Sequence, residues 1–319
     1  MKKAFKIIGR IGLILLAAVI ALPILIWGGL NIAKFAIYSE YYPIKSNICK
    51  NPGLSDGFVC QGIAVSEDDG RIFVSGYMKD DSPSRIYVTD FDSNSYYVTL
   101  LNEKGEDFTG HAGGVAVTGD TVYVANGGKI YFVEKSSLLN AENGDSVTIK
   151  VAAKLNSSAS FVFTDENYLY VGEFHDGGKY VTEHPYETAD GTYHAIISRF
   201  DINDLSKPDK IYSIRNKVQG AAFTPDGKVV LSTSYGLSDT VYYIYNESDA
   251  TDSGLTLDGV PVYFLDKYEK AIKGPAMGED LDCFDGKIIT LTESASDKYL
   301  FGKFFFANKI VALDIDQLS

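Results

Sequence analysis

Two glutamates, Glu279 and Glu293, and four histidines, His111, His175, His184 and His194, are the residues best suited to acid–base or metal chemistry. Glu279 or Glu293 as general base, assisted by His111 or His175, would suit hydrolysis of an ester or lactone. That chemistry needs proximity and a raised carboxyl pKa, which spacing alone does not supply. His111, Glu173, His175, Glu279 and Glu293 would equally suit a divalent cation. Carboxylates alone favour calcium, and two or three imidazoles with a carboxylate favour zinc. No His-x-x-x-His spacing marks such a site, and each residue taken singly more often decorates a polar loop. Ser294 follows a Glu but lacks the Gly-x-Ser-x-Gly elbow of a hydrolase nucleophile. The acid-rich turns at Asp68-Asp69, Asp80-Asp81 and Asp249 to Gly254 lack a full calcium loop and read as hairpin turns.

A repeat is what would bring these residues together. A small or polar opening, an apolar strand, a tight turn and a second strand recur five times, starting near Gln61, Gly113, Ser160, Gln219 and Gly278. Strands repeating every 45–60 residues or so, with no helix between them, imply an all-β propeller. Blade one fits four strands: 62–66, 71–77, 85–91 and 96–101, separated by Asp-, Ser- and Gly-rich turns. In blade two, 129–133 and 148–155 supply the outer pair. The last blade offers only 282–284, 287–292 and 309–315, while a spare segment, Ile44–Cys49, precedes the first. Docking that N-terminal segment as the missing outer strand closes the ring and removes an exposed edge. Five blades are therefore expected, with six as the alternative.

Propeller strands alternate in direction, so one face collects the starts of inner strands and the ends of second strands. The starts place Gln61, His111, Ser158, Gln219 and Glu279 there, and the ends place Tyr77, Asn126, Glu173, His175, Tyr235 and Glu293. Two long connections, 176–193 and 295–308, lie on the same face, and loops of that length are usually functional or disordered. The ligand-binding expectation thus rests on Gln61, Tyr77, His111, Asn126, Glu173, His175, Gln219, Tyr235, Glu279 and Glu293 around one channel mouth.

The phrases Val218-Gln-Gly-Ala-Ala-Phe-Thr-Pro-Asp-Gly-Lys and Thr290-Leu-Thr-Glu-Ser-Ala resemble secreted bacterial β-propellers, broadly the gluconolactonase-like and strictosidine-synthase-like groups. The resemblance extends as blade patterning over 45–319. It implies architecture rather than chemistry. Calcium-dependent lactonases of this broad group use a Glu/Asn/Asp set lining the channel, and no residue of this chain is matched to it.

Ahead of the propeller, 11–33 carries no charge and is almost wholly apolar. Its 23 residues compare with about 20 needed to span a bilayer. Lys2, Lys3, Lys6 and Arg10 put residues 1–10 in the cytoplasm and 46–319 outside, joined by a tether over 34–45. Trp27, Tyr38, Tyr41 and Tyr42 are expected near the outer interface. The stretch exceeds a signal-peptide core, and the neighbourhood of Asn31 makes a poor cleavage site, so an uncleaved single-pass anchor is preferred to a removed signal. Five of the 29 basic residues precede Glu40, leaving 24 against 42 acidic residues and a net charge of −18 outside. This argues against nucleic acid or an anionic surface as partner through a basic patch.

Cys49, Cys60 and Cys283 are too few for a disulfide framework, although one pair, such as Cys49 with Cys60, is open to them. Asn156 and Asn246 sit in glycosylation acceptor patterns. The run 299–307 holds four phenylalanines between 301 and 306 and reads as blade packing first, then as a channel cap or partner surface. The functional expectation is an extracytoplasmic propeller binding a small molecule, glycan, peptide or protein at its mouth. The alternatives are a metal-assisted lactonase or esterase and a scaffold in an envelope assembly.

Overall fold

The computed structural model describes residues 2–165 and 167–318; Glu166, in the turn between the first two strands of the third repeat, lies outside the described residues. The fold is a five-bladed β-propeller preceded by one long helix. Inner strands Phe58–Ser66, Gly114–Thr118, Phe161–Thr164, Val218–Phe223 and Gly278–Phe284 surround the axis. Each pairs antiparallel with the strand that follows it in sequence. These strands form because β-branched and aromatic residues run almost unbroken through both faces, as burial between neighbouring blades demands. Phe73, Ile86 and Val98 of blade one meet Val115, Val122 and Val124 of blade two in one cluster. Tyr170 of blade three stacks on Phe223 of blade four with ring centroids 3.9 Å apart. Each such side chain, taken fully out of water, contributes roughly 1.5–3 kcal/mol.

Glycine decides how closely the blades approach. A Cβ on Gly220 would lie 2.4 Å from Asp280 Cα, and one on Gly62 would lie 2.5 Å from the Val115 nitrogen. Only a residue without a side chain lets the inner strands of adjacent blades pack so tightly.

The ring closes as the strand shortage implied. Lys45–Lys50 pairs antiparallel with Lys309–Leu313, from Lys45 opposite Leu313 to Lys50 opposite Lys309. The last blade thus takes its outer strand from the other end of the ring. Two edge covers had no counterpart in the sequence reading. Ser146–Thr148, from the long blade-two connection, lies parallel to the outer strand Ser95–Leu101 of blade one. Val260–Phe264, from blade four, lies parallel to Lys210–Ile214 of blade three, and Thr251–Leu257 pairs beyond it. Each extra strand gives a neighbour's exposed edge its hydrogen-bond partners. Blade two itself is a three-stranded sheet. Its 14-residue strand Thr121–Glu134 pairs by its first half with the inner strand and by its second half with Lys150–Ala159.

The helix runs Lys2–Ile37, and its Arg10–Ile37 portion, 28 residues, is long and apolar enough to cross a membrane. The expected tether over 34–45 is built differently. Helix continues to Ile37, a second helical turn covers Tyr41–Ile44, and Tyr38, Tyr41 and Ile44 are buried in the propeller core. Tyr41 stacks on Tyr242 with centroids 6.2 Å apart, and the Tyr38 hydroxyl donates to Asp239 at 3.0 Å. Aromatic side chains able to bury this much surface do not stay in a loose linker. Two of the expected interfacial tyrosines therefore serve packing. All three cysteines are free thiols, with Cys49 and Cys60 buried in the same cluster.

Candidate functional site at the channel mouth

A cavity of about 710 Å³ opens where the inner strands begin. Eight of the ten residues expected at the mouth line it: Gln61, Tyr77, His111, Asn126, Gln219, Tyr235, Glu279 and Glu293. They come from all blades but the third, which supplies Ser160 and the loop residues Phe174, Lys179 and Tyr180 instead. Alternation places them. Gln219 and Glu279 are the second residues of their inner strands, Tyr77 is the last but one of its strand, and His111, Tyr235 and Glu293 lie in the adjoining connections, while Gln61 and Asn126 sit inside longer strands.

Glu279 and Glu293 form the floor. Gln219 Nε2 donates to Glu279 Oε1 at 3.4 Å, and Gln61 Nε2 donates to Glu293 Oε2 at 3.1 Å. Each carboxyl is thus met by an amide from the next blade. Burial raises the Glu279 carboxyl well above its ordinary value, and the neighbouring Glu293 and Asp280 add to this. Burial also pushes Glu293 up to about 7, against the Tyr299 hydroxyl, the Lys298 ammonium and Gln61, which favour its ionised form. Two acids this close and this dry resist carrying two charges at neutral pH. Below them Asp280 is fully buried; Oδ2 accepts from the Ile63 N–H at 3.4 Å, whereas Oδ1 has no hydrogen-bond partner.

The wall is aromatic and cationic. Tyr77 stacks on His111 with centroids 4.8 Å apart, and Tyr180 meets His111 edge-on. The Lys298 ammonium hydrogen-bonds the Tyr77 hydroxyl. Burial, then Lys179 and Lys298, lower the His111 pKa, so its imidazole is neutral at pH 7. Asn126 Oδ1 accepts from the Ala112 N–H at 3.3 Å, fixing the turn that carries His111.

Glu173 and His175 lie outside the lining. Glu173 accepts from the Ser158 and Ile196 N–H groups at 3.2 and 3.3 Å and faces His184 Nε2 at 3.5 Å. His175 stacks on His194 at 4.5 Å, and its Nδ1 accepts from the Thr182 N–H at 3.1 Å. Both hold the 173–194 connection in place. Among the described residues no three or more His, Cys, Asp or Glu side chains come together to hold a metal ion. The donor set His111, Glu173, His175, Glu279 and Glu293 is divided between the cavity and the loop behind it, so the residues present do not fit a cation. Ser294 is fully buried, and its hydroxyl lies 3.0 Å from that of Thr292.

Lys179, Lys298 and Tyr299 also line the cavity and were not singled out from sequence as site residues. Their signal lay in the long connections rather than at strand ends. In the 299–307 run, Leu300, Phe301 and Phe304 are exposed rather than packed between blades. Gly302 sits against the Ser294 carbonyl, which turns the loop so that these side chains point outward.

No family model matches the chain, and no curated protein matches it. Solved structures do. The glutaminyl cyclase of Myxococcus xanthus is 8% identical over 84% of this chain and 95% of that one, with a TM-score of 0.47. The WD40 β-propeller domain of Doa1 is 13% identical over 84% and 96%, with a TM-score of 0.40. The aldose sugar dehydrogenase of Streptomyces coelicolor is 12% identical over 77% and 76%, with a TM-score of 0.43. The neighbours are propellers, and the likeness is one of fold.

Proposed function

We propose that this chain is a membrane-anchored extracytoplasmic propeller that binds a small polar ligand, of glycan or peptide character, at its channel mouth. The observation that carries the reading is the cavity floor: two buried carboxyls, each met by a glutamine from the next blade, beneath an aromatic and cationic wall. Burying acids and amides together costs stability that a purely structural floor has no need to sustain. A convergent polar set in a concave site is the usual form of a small-molecule pocket. Titration calorimetry against monosaccharides, oligosaccharides and short peptides tests it. His111→Ala, Gln219→Ala and Glu293→Gln are each expected to weaken the responding ligand about tenfold or more, as loss of one buried hydrogen bond would, with the melting temperature little changed. Unfolding of all three variants would assign these residues to structure instead.

A second reading has one observation behind it. A carboxyl titrating at about 7 is poised for general acid–base catalysis, so Glu293 with Glu279 supports a hydrolase of the lactone or ester kind. Turnover of such substrates that survives chelation and disappears in Glu293→Gln would favour it over binding alone.

A further inference from the structure

The loops around the mouth expose apolar side chains that the rest of the propeller hides. Leu300 and Phe301 are 74% and 65% exposed, Val181 and Leu237 are 66% and 55% exposed, and Phe304 is also exposed. They sit on three separate connections, 173–194, 234–239 and 293–308, all on the cavity side of the ring. Away from this face and the helix, the exposed large apolar residues among those described are Phe91, Leu255 and Tyr268.

The helix leaves from the same face. Its base is fixed by Tyr38 on Asp239 in the blade-four loop, and its flank rests on the blade-five loop. Trp27 meets Phe306 edge-on at 5.4 Å, and the Lys34 ammonium lies 4.8 Å above the same ring. From Arg10 to Trp27 a helix rises about 26 Å, close to the roughly 30 Å of a bilayer's hydrocarbon core. With Arg10 at one boundary, Trp27 and therefore Phe306 stand at the other. Ile32, Phe35 and Ile37, further along the helix, remain exposed beside the loop. Lys179 and Lys298, on two of the same loops, bring ammonium groups to the face of an otherwise acidic domain.

We propose that the mouth face docks on the bilayer from which its own helix emerges, with the loop tips in the headgroup layer, so that the cavity takes the polar headgroup of a membrane amphiphile. This rests on the reading of the helix as an uncleaved anchor and deepens the binding function by stating where the ligand comes from. Apolar tips around a polar opening match a surface that is apolar beneath and polar above. The ligand's tail stays among the lipids while its head reaches Gln61, Gln219 and the two glutamates.

The test uses the full chain in phosphatidylcholine vesicles doped with brominated phosphatidylcholine. An environment-sensitive fluorophore is attached at Leu237→Cys or Phe301→Cys, and at Asp120→Cys or Asp226→Cys on exposed far-face turns, with the unsubstituted chain as blank. Loss of most emission at 237 and 301, and none at 120 and 226, is expected. Equal emission at all four positions, with the chain resisting alkaline extraction, overturns docking and leaves the anchor reading intact. Release of the chain by alkaline extraction defeats the anchor reading itself. A blue-shifted but unquenched signal at 237 and 301 would replace the bilayer by a protein partner or a second copy. A benzophenone side chain at Tyr235 is expected to crosslink phospholipid; its failure to do so would overturn the amphiphile assignment alone.

Discussion

Glu293 sits in an environment that opposes its charge. Its folded pKa, about 7, lies above the ordinary 4.5, so the folded protein holds a proton that the unfolded chain releases first. Below the ordinary value both states are protonated and burial carries no charge penalty. As pH rises toward 7 the unfolded chain ionises and gains, so stability falls across that window. Asp282, raised by burial to about 7, acts in the same direction. The melting temperature of the unsubstituted protein should therefore drop between about pH 4.5 and about pH 7, and Glu293→Gln should flatten the curve. A parallel drop in both proteins would place the titrating group elsewhere. Strand-end logic located Gln61, His111, Gln219, Glu279 and Glu293 from the chain alone, because position within a blade fixes which face a residue meets. Glu173 and His175, just past the strand Tyr168–Gly172, lie outside the cavity lining because they accept from backbone N–H groups around the 173–194 connection. Hydrogen-bond partners contributed by a folded connection leave no periodic mark in sequence.

At the scale of elements, two features carry stability that single side chains do not. Gly220→Ala would drive a methyl into the Asp280 backbone, and a cost on the order of 1–3 kcal/mol is expected from overpacking against atoms that cannot yield. Urea unfolding of the variant reads this directly, and an unchanged midpoint would mean the inner strands sit further apart. The closing strand is the second feature. A chain beginning at residue 51 leaves Lys309–Leu313 with an open edge and should aggregate or melt early, whereas one beginning at residue 37 should fold. Circular dichroism and size-exclusion profiles of the two separate these outcomes. Alternation and turn chemistry made the strands and the closure legible. The parallel covers at Ser146–Thr148 and Val260–Phe264 were not, because each is defined by a neighbour's edge rather than by its own pattern.

For the whole molecule, charge and hydropathy divide the chain cleanly, since every acidic residue follows the apolar helix. The intact protein should stay with membranes through alkaline extraction, and its mass should include the N-terminal segment. A mature mass lacking roughly the first 35 residues would make the helix a removed signal instead. What sequence did not convey is that the helix and the ring are one packed unit. Tyr38, Tyr41 and Ile44 read as tether when judged by position, and their burial becomes visible only once blade four offers Tyr242 and Asp239 to receive them.

The pairing of Lys45–Lys50 with Lys309–Leu313 also imposes a timetable. During synthesis the first of these strands emerges with the helix, while its partner is still unmade. At 5–20 residues per second the wait is roughly 10–50 s, spent beside the membrane with four blades assembling in the meantime. Joining ends so distant adds little entropy beyond that of a shorter loop, because the cost grows only with the logarithm of length. The ring therefore locks late, and until it does the newborn protein is an open arc held at one end.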